Sequence, residues 1–138
     1  MANGTQISER GAISIFTAII AIAILAAAGL AYDGSQKLGG LSAARDVADN
    51  AARACAQGVA TGDLREVGTP TLDTAMAIGL ADAYLAQVDN VAGRNIIVGD
   101  TDCTVTVIVN VPTLFIPGPF IVTAAESADA RFGIEAPA

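Results

Sequence analysis

The sequence feature that most constrains this chain is an uncharged apolar run near its amino terminus. The run covers Gly11–Tyr32, GAISIFTAIIAIAILAAAGLAY, and lies between Arg10 and Asp33. At about 1.5 Å of rise per residue, roughly 20 apolar residues in a helix cross the hydrocarbon core of a bilayer. Because a backbone inside lipid must satisfy its own hydrogen bonds, the sequence predicts a transmembrane helix over residues 11–32.

Small residues repeat along one side of this predicted helix. Ala23, Ala27 and Ala31 stand four residues apart, the spacing of a small-xxx-small ridge along which a second helix can approach closely. We therefore predict that this alanine ridge packs against the helix of another protein. The alternative is that the repeat only reflects the abundance of alanine in the chain.

The amino terminus admits three kinds of processing. Residues 1–10 are short and polar and would form a cytoplasmic tail. The run could stay as a signal anchor, be removed as a signal peptide near Ala26–Ala28 or after Ala31, or follow a prepilin-type cut between Gly11 and Ala12. Removable signals usually contain only about 7–15 apolar residues. We therefore expect the helix to be retained.

The chain contains two cysteines, and both are predicted to face the protein core. Cys55 lies on the apolar stripe of a predicted helix, and Cys103 opens a predicted strand. In an oxidising compartment the pair would form a disulfide, which stabilises by about 4 kcal/mol for a loop of this length. The alternative is two buried free thiols that behave as small hydrophobes.

The orientation of the span follows from weighing the cysteines against the basic residues. Arg10 precedes the run, whereas Lys37 and Arg45 follow it, so the positive-inside rule slightly favours a cytoplasmic carboxyl terminus. The predicted disulfide favours the opposite orientation and outweighs so thin a charge difference. We expect residues 33–138 to form a domain outside the cytoplasm.

Beyond the run, hydrophobic periodicity predicts an α+β fold with a small antiparallel sheet. The first helix continues past Asp33, with a bend plausible at the glycines of residues 34–40, and presents an apolar stripe opposite charges that form a solvated face. A second helix is expected to begin at Thr69–Pro70 and to end at Gly93, with Met76 and Tyr84 in the core. Period-2 alternation then predicts strands at Ile96–Val98, Cys103–Val111 and Phe120–Ile134, the last two as a hairpin.

The connection between the hairpin strands is a proline-rich loop with an apolar tip. Its sequence, PTLFIPGP, contains three prolines and cannot be strand throughout. Leu114, Phe115 and Ile116 lie near the tip. They could cap the core of their own domain, touch the membrane or meet a partner. We expect packing on their own domain and retain the loop as a candidate interaction surface.

Chemistry-bearing motifs are missing from the sequence. The chain has no histidine and a formal charge of −7, which excludes His-based nucleophiles and removes the electrostatic basis for nucleic-acid binding. Asp100-Thr101-Asp102 lacks a full calcium ligand set and is interpreted as a turn. We expect no enzyme activity, no cofactor, no metal and no small-molecule substrate.

The first sixty residues resemble the amino-terminal region of TadE/TadG-like proteins of the Tad (Flp, type IVb) pilus apparatus. The resemblance rests on an Arg-Gly entering a single apolar span, an Asp-Gly at its exit, and an Ala-Asp-x-Ala-Ala stretch on the helix beyond. In this sequence these are Arg10-Gly11, Asp33-Gly34 and residues 48–52, ADNAA.

The resemblance implies a pilin-like or pseudopilin-like envelope protein that supports pilus assembly and performs no catalysis. It also implies a cytoplasmic amino terminus and partners among other pilin-like or pilus-assembly proteins. Members cut by prepilin peptidase usually carry Glu five residues after the cleavage glycine, and Phe16 stands there in this chain. An uncleaved anchor is therefore expected. The rival hypothesis is a secreted binding domain released by signal-peptide cleavage, which would use the PTLFIPGP loop or the sheet edge.

Overall fold

A computed structural model describes residues 9–60 and 70–130 as an α+β fold, which confirms the predicted class. Two helices pack on one face of a three-stranded antiparallel sheet with the strand order β1-β2-β3. The elements are α1 (Glu9–Ala56), α2 (Thr74–Leu85), β1 (Val91–Val98), β2 (Asp102–Val111) and β3 (Phe120–Asp129).

Helix α1 is continuous over 48 residues and serves two different environments. In its first half, every residue from Ser14 to Tyr32 is exposed except Gly29. This half is long and apolar enough to cross a membrane. In its second half, the predicted apolar stripe is buried through Ala44, Ala48 and Cys55. The glycines of residues 34–40 do not interrupt the helix.

The sheet covers the second half of α1 with one face. Cys103, Val105, Val107 and Val111 of β2 are buried, which confirms the alternation predicted from the sequence. Both neighbouring strands pair with β2 in antiparallel register. Strand β3 ends at Asp129, short of the predicted boundary, and residues 131–134 lie outside the described residues.

The core between α1, α2 and the sheet is built from small side chains. Alanine and valine supply most of its buried members, as the scarcity of aromatic residues requires. Cys55 and Cys103 are both fully buried within it. Their sulfur atoms lie at disulfide-bonding distance, with the Cα atoms 6.1 Å apart, which is the arrangement that the predicted bridge needs.

The start of α2 differs from the sequence prediction. The helix begins at Thr74, where Asp73 is the N-cap and its carboxylate accepts a hydrogen bond from the Met76 amide at 2.9 Å. Tertiary contacts displace the start: the Asp73 amide donates to the Gly58 carbonyl, and the preceding residue bonds to Asp100. These bonds hold the segment before Thr74 extended. The predicted cap, Thr69, lies outside the described residues.

The end of α2 was also predicted wrongly. The helix ends at Leu85, and Gly93 belongs to β1. Asn90 adopts a positive φ of 66°, a left-handed conformation that asparagine tolerates better than most residues. This turn lets the chain enter β1 at Val91, so the strand is longer than the predicted Ile96–Val98.

The buried face of α2 is narrower than predicted. Ala77, Ala81 and Leu85 are buried, Tyr84 is half-buried, and Met76 is 53% exposed. A helix that is apolar on nearly every side does not identify its own inner face by periodicity. Close packing determines it instead: a Cβ added at Gly58 would lie 2.5 Å from the Ala77 Cα, so only glycine fits at position 58.

Ion pairs lie at the periphery of this fold. Arg53 and Asp49 approach to 3.0 Å one turn apart on α1, which confirms the predicted solvated face. Arg94 of β1 pairs with Asp82 of α2 at 2.5 Å. Because all four side chains are substantially exposed, each pair contributes no more than about 1 kcal/mol.

Two adjacent glycines of α1 should respond oppositely to alanine. A Cβ at Gly40 would overlap the buried side chain of Val111, whereas a Cβ at Gly39 meets open space. We expect Gly40→Ala to destabilise the domain by about 1–3 kcal/mol through overpacking. Gly39→Ala should stabilise it by up to about 1 kcal/mol through helix propensity. Urea unfolding of the full chain in detergent micelles measures both, and equal effects would contradict the packing at Gly40.

Candidate functional site

The most specific contact in the structure joins α1 to the loop between β2 and β3. On the helix it involves residues 29–40, where the apolar run ends and the packed half of α1 begins. On the sheet side it involves Pro112–Phe120. We call this contact the helix–loop junction.

Asp33 is the centre of the helix–loop junction. Its side chain is fully buried and accepts three backbone hydrogen bonds from the loop. The Leu114 amide donates to Oδ1 at 2.9 Å, and the amides of Phe115 and Ile116 donate to Oδ2 at 2.9 and 2.8 Å. One carboxylate thus fixes three consecutive loop residues that follow it by more than 80 positions in the chain.

The environment of Asp33 favours its ionised form. The hydrogen bond from the Leu114 amide lowers the pKa of Asp33 below its ordinary value, and the amides of Ile116 and Phe115 lower it further, while burial acts in the opposite direction. Hydrogen bonds to a carboxylate stabilise the charge that burial alone would disfavour. The junction therefore holds a buried negative charge that backbone amides stabilise.

A glycine lets the loop reach the helix. A Cβ at Gly29 would lie 2.7 Å from the ring of Phe115, whereas a Cβ at Gly34 meets nothing. Gly29 is also the one buried residue between Ser14 and Tyr32. The Phe115 ring thus rests on α1 at a point inside the apolar run, one turn before Asp33.

Polar and cationic groups surround the junction on the side away from the apolar run. The Lys37 ammonium lies 5.1 Å from the centroid of the Phe120 ring, within the range of a cation–π contact. The side-chain amide of Gln36 donates to the Tyr32 hydroxyl at 3.0 Å, and the Ser35 hydroxyl donates to the Tyr32 carbonyl at 2.7 Å. The character of the helix surface therefore changes from apolar to polar at Tyr32.

A shallow groove of about 310 Å³ lies next to the junction, between α1, the turn before β1 and the end of β2. Gly39, Gly40 and Ala43 form its helical wall, and Asn90 and Asn110 are among its polar members. Within residues 9–60 and 70–130, no group of three or more His, Cys, Asp or Glu side chains could hold a metal ion. The residues that line the groove include one carboxylate, Asp89, and no basic side chain. They do not form an acid–base pair.

The residues predicted as sites fall into separate places. Leu114 is 73% exposed, Phe115 is 58% exposed, and Ile116 is half-buried. The loop contacts α1 through its backbone and the Phe115 ring, whereas Leu114 and Phe115 stay largely exposed. The expected packing of the apolar tip on its own domain is therefore only partial. The cysteines lie in the core beside the far end of α1, away from the loop.

The alanine ridge lies on the exposed surface of α1. Ala23, Ala27 and Ala31 are exposed. At 3.6 residues per turn, Ala27 lies about 120° around the helix from Asp33, so the loop and the ridge occupy different sides of α1. Gly11 and Ala12 lie in the first turns of α1, and cleavage between them stays a prediction.

The roles of Asp33 and Gly29 were not identified from the sequence. Asp33 marked the end of the apolar run, and its position beside lipid was the available signal, since a lone carboxylate there needs hydrogen-bond donors. Its partners come from a loop 81–83 residues later. Periodicity and spacing do not connect positions so far apart.

The fold and the junction define a class of protein: a single long helix whose apolar first half projects from a small α+β domain. No protein-family model, curated protein or solved structure matched this chain in comparisons with each.

Proposed function

We propose that this chain is a non-catalytic, membrane-anchored component of a Tad/Flp-type pilus or a related envelope secretion machinery. In this role it acts as a minor pseudopilin or an assembly factor. Its apolar helix anchors it in the cytoplasmic membrane, with the amino terminus inside and the α+β domain outside. It binds other pilin-like or pilus-assembly proteins through that helix.

The observation that carries this proposal is that the two halves of α1 have different surroundings. One uninterrupted helix provides an exposed apolar half of membrane-spanning length and a buried half at the centre of the domain. Because the helix is continuous, a movement of the apolar half also moves the domain. An arrangement of this kind suits a subunit that assembles by helix packing.

Two further observations support this role. The alanine ridge faces away from the loop, so a partner helix can approach α1 without displacing the domain. The cysteines, buried at bonding distance, suit an oxidising compartment outside the cytoplasm.

Substitution on the ridge tests the proposal. We expect Ala27→Leu to reduce pilus assembly and to weaken crosslinking between the apolar helix and its partners, because the larger side chain keeps the two helices apart. Electron microscopy of pili in the native cells and photocrosslinking from position 23 provide the two readouts.

Ala18→Leu is the matched control. Ala18 is also exposed on α1, and nine residues at about 100° each place it on the side opposite Ala27. It makes the same change in size and apolarity without altering the ridge. Normal piliation and crosslinking in Ala27→Leu, or equal defects in both variants, would count against packing through the ridge.

A further inference from the structure

We propose that the β2–β3 loop, Pro112–Pro119, is a second membrane contact whose tip inserts into the interfacial layer of the bilayer beside the end of the helix. This inference rests on the proposed insertion of α1. It adds a site that fixes the height and tilt of the domain over the membrane.

The helix–loop junction determines the depth of the loop. The Phe115 ring packs against Gly29, three residues before Tyr32 ends the apolar run. At 1.5 Å per residue, this contact lies about 4–5 Å inside the end of the run. If the run crosses the bilayer, the loop tip is at the level of its outermost apolar layer.

The side chains of the loop suit that environment. No charged residue occurs between Val111 and Ala125. Leu114 and Phe115 are largely exposed, although exposed leucine and phenylalanine side by side beside an apolar span are costly in water. Lipid acyl chains at the end of the span would cover both.

The backbone of the loop is prepared for a medium with little water. Pro112, Pro117 and Pro119 carry no amide hydrogen, and the amides of residues 114–116 all donate to Asp33. The Thr113 hydroxyl lies 2.6 Å from the carbonyls of Ile116 and Gly118. A segment that enters lipid must satisfy its polar groups internally, and Asp33 does this for three consecutive amides of the loop.

Tryptophan fluorescence tests the contact directly, because the chain contains no tryptophan. Three variants of the full chain each carry one reporter in phosphatidylcholine vesicles whose acyl chains are brominated. Leu114→Trp reports on the loop, and Ile22→Trp, at a position 67% exposed in the apolar run, reports on insertion of α1.

Ile97→Trp is the control for a water-exposed position on the domain. Ile97 is 58% exposed and pairs with Thr104, seven residues along β2 from Val111. At about 3.3 Å per residue, this position lies roughly 23 Å along the strand from the start of the loop.

We expect bromine quenching of Leu114→Trp and Ile22→Trp to exceed that of Ile97→Trp by roughly twofold or more, since tryptophan at the interface contacts the acyl chains. The inference would be overturned if Ile22→Trp is quenched but Leu114→Trp is quenched no more than Ile97→Trp. The proposed insertion of α1 would stand in that case. That pattern would favour a protein partner over lipid as the occupant of the loop tip. An unquenched Ile22→Trp would overturn the proposed insertion of α1, and the loop contact with it.

Discussion

Replacing Asp33 with alanine should release the β2–β3 loop from α1. The variant removes the acceptor of three loop amides at once, and charge-assisted hydrogen bonds of this kind contribute more than neutral ones. We expect amide hydrogen exchange in the loop to accelerate by roughly 10- to 100-fold, the equivalent of losing at least one such bond. Exchange measured by mass spectrometry on the full chain in detergent micelles provides the readout.

The sequence of the loop makes this measurement unusually direct. Its three prolines have no amide hydrogen, so the loop contains five amides, at residues 113–116 and 118. Three of them are bound by Asp33, and their release would dominate the exchange of a peptide covering the loop.

Asp46→Ala is the matched control for the loss of a carboxylate. Asp46 is an exposed residue of the same helix, more than three turns beyond Asp33. Its replacement should leave the loop amides protected. Unchanged exchange in Asp33→Ala, or equal acceleration in both variants, would contradict the role assigned to Asp33.

Acid should produce the same release in the wild-type chain. Because the folded-state pKa of Asp33 is lowered, the contact contributes its full stability above the ordinary aspartate pKa of about 3.9 and loses it as pH falls towards the lowered value. After correction for intrinsic exchange rates, loop protection should fall over that range in the wild type. In Asp33→Ala the low protection should change little with pH. Protection that rises in acid would reverse the sign and exclude this carboxylate as the cause.

Removing the cysteine pair should cause the largest loss of global stability. Cys55 and Cys103 are 48 residues apart, and closing a loop of that length stabilises by about 4 kcal/mol in the chain-entropy description. The double variant Cys55→Ala/Cys103→Ala should therefore lower the free energy of unfolding of the oxidised chain by about that amount. Urea unfolding in detergent micelles, followed by exchange of the sheet amides, gives the value.

Reduction of the wild-type protein is the control that separates the bond from packing. Both sulfurs are fully buried, so alanine also removes some apolar contact, whereas a reductant breaks the bond and keeps both side chains. Reduced wild type and the double variant should unfold at similar urea concentrations. A wild-type protein that is insensitive to reductant would contradict a disulfide in the native chain.

Much of the fold was accessible from local patterns. The uncharged run, the stripe from Ala44 to Cys55 and the alternation of β2 are local patterns. The structure confirms a helix, a buried helix face and a strand at these positions. The cysteines were expected in the core because both occur on apolar positions of such patterns. In each case the information lies within a window of some ten to twenty residues.

The features that the sequence did not reveal arise where two distant segments meet. The start of α2 depends on hydrogen bonds that the Asp73 and Leu72 amides donate to the carbonyls of Gly58 and Asp100. Its buried face depends on the close approach of Ala77 to Gly58. A helix that is apolar on nearly all sides is compatible with several inner faces, so packing chose among them. Predicting Met76 as a core residue was wrong for this reason.

The sequence by itself determined that this chain has one long apolar helix, a small domain with a core of small side chains, and no sequence motif for catalysis. Those properties depend on composition and periodicity, which are local. Only the tertiary structure decided that Asp33 holds the proline-rich loop against the end of the apolar run. A carboxylate and three amides more than 80 residues apart share no periodic signal, and their contact exists because α1 and the sheet pack side by side.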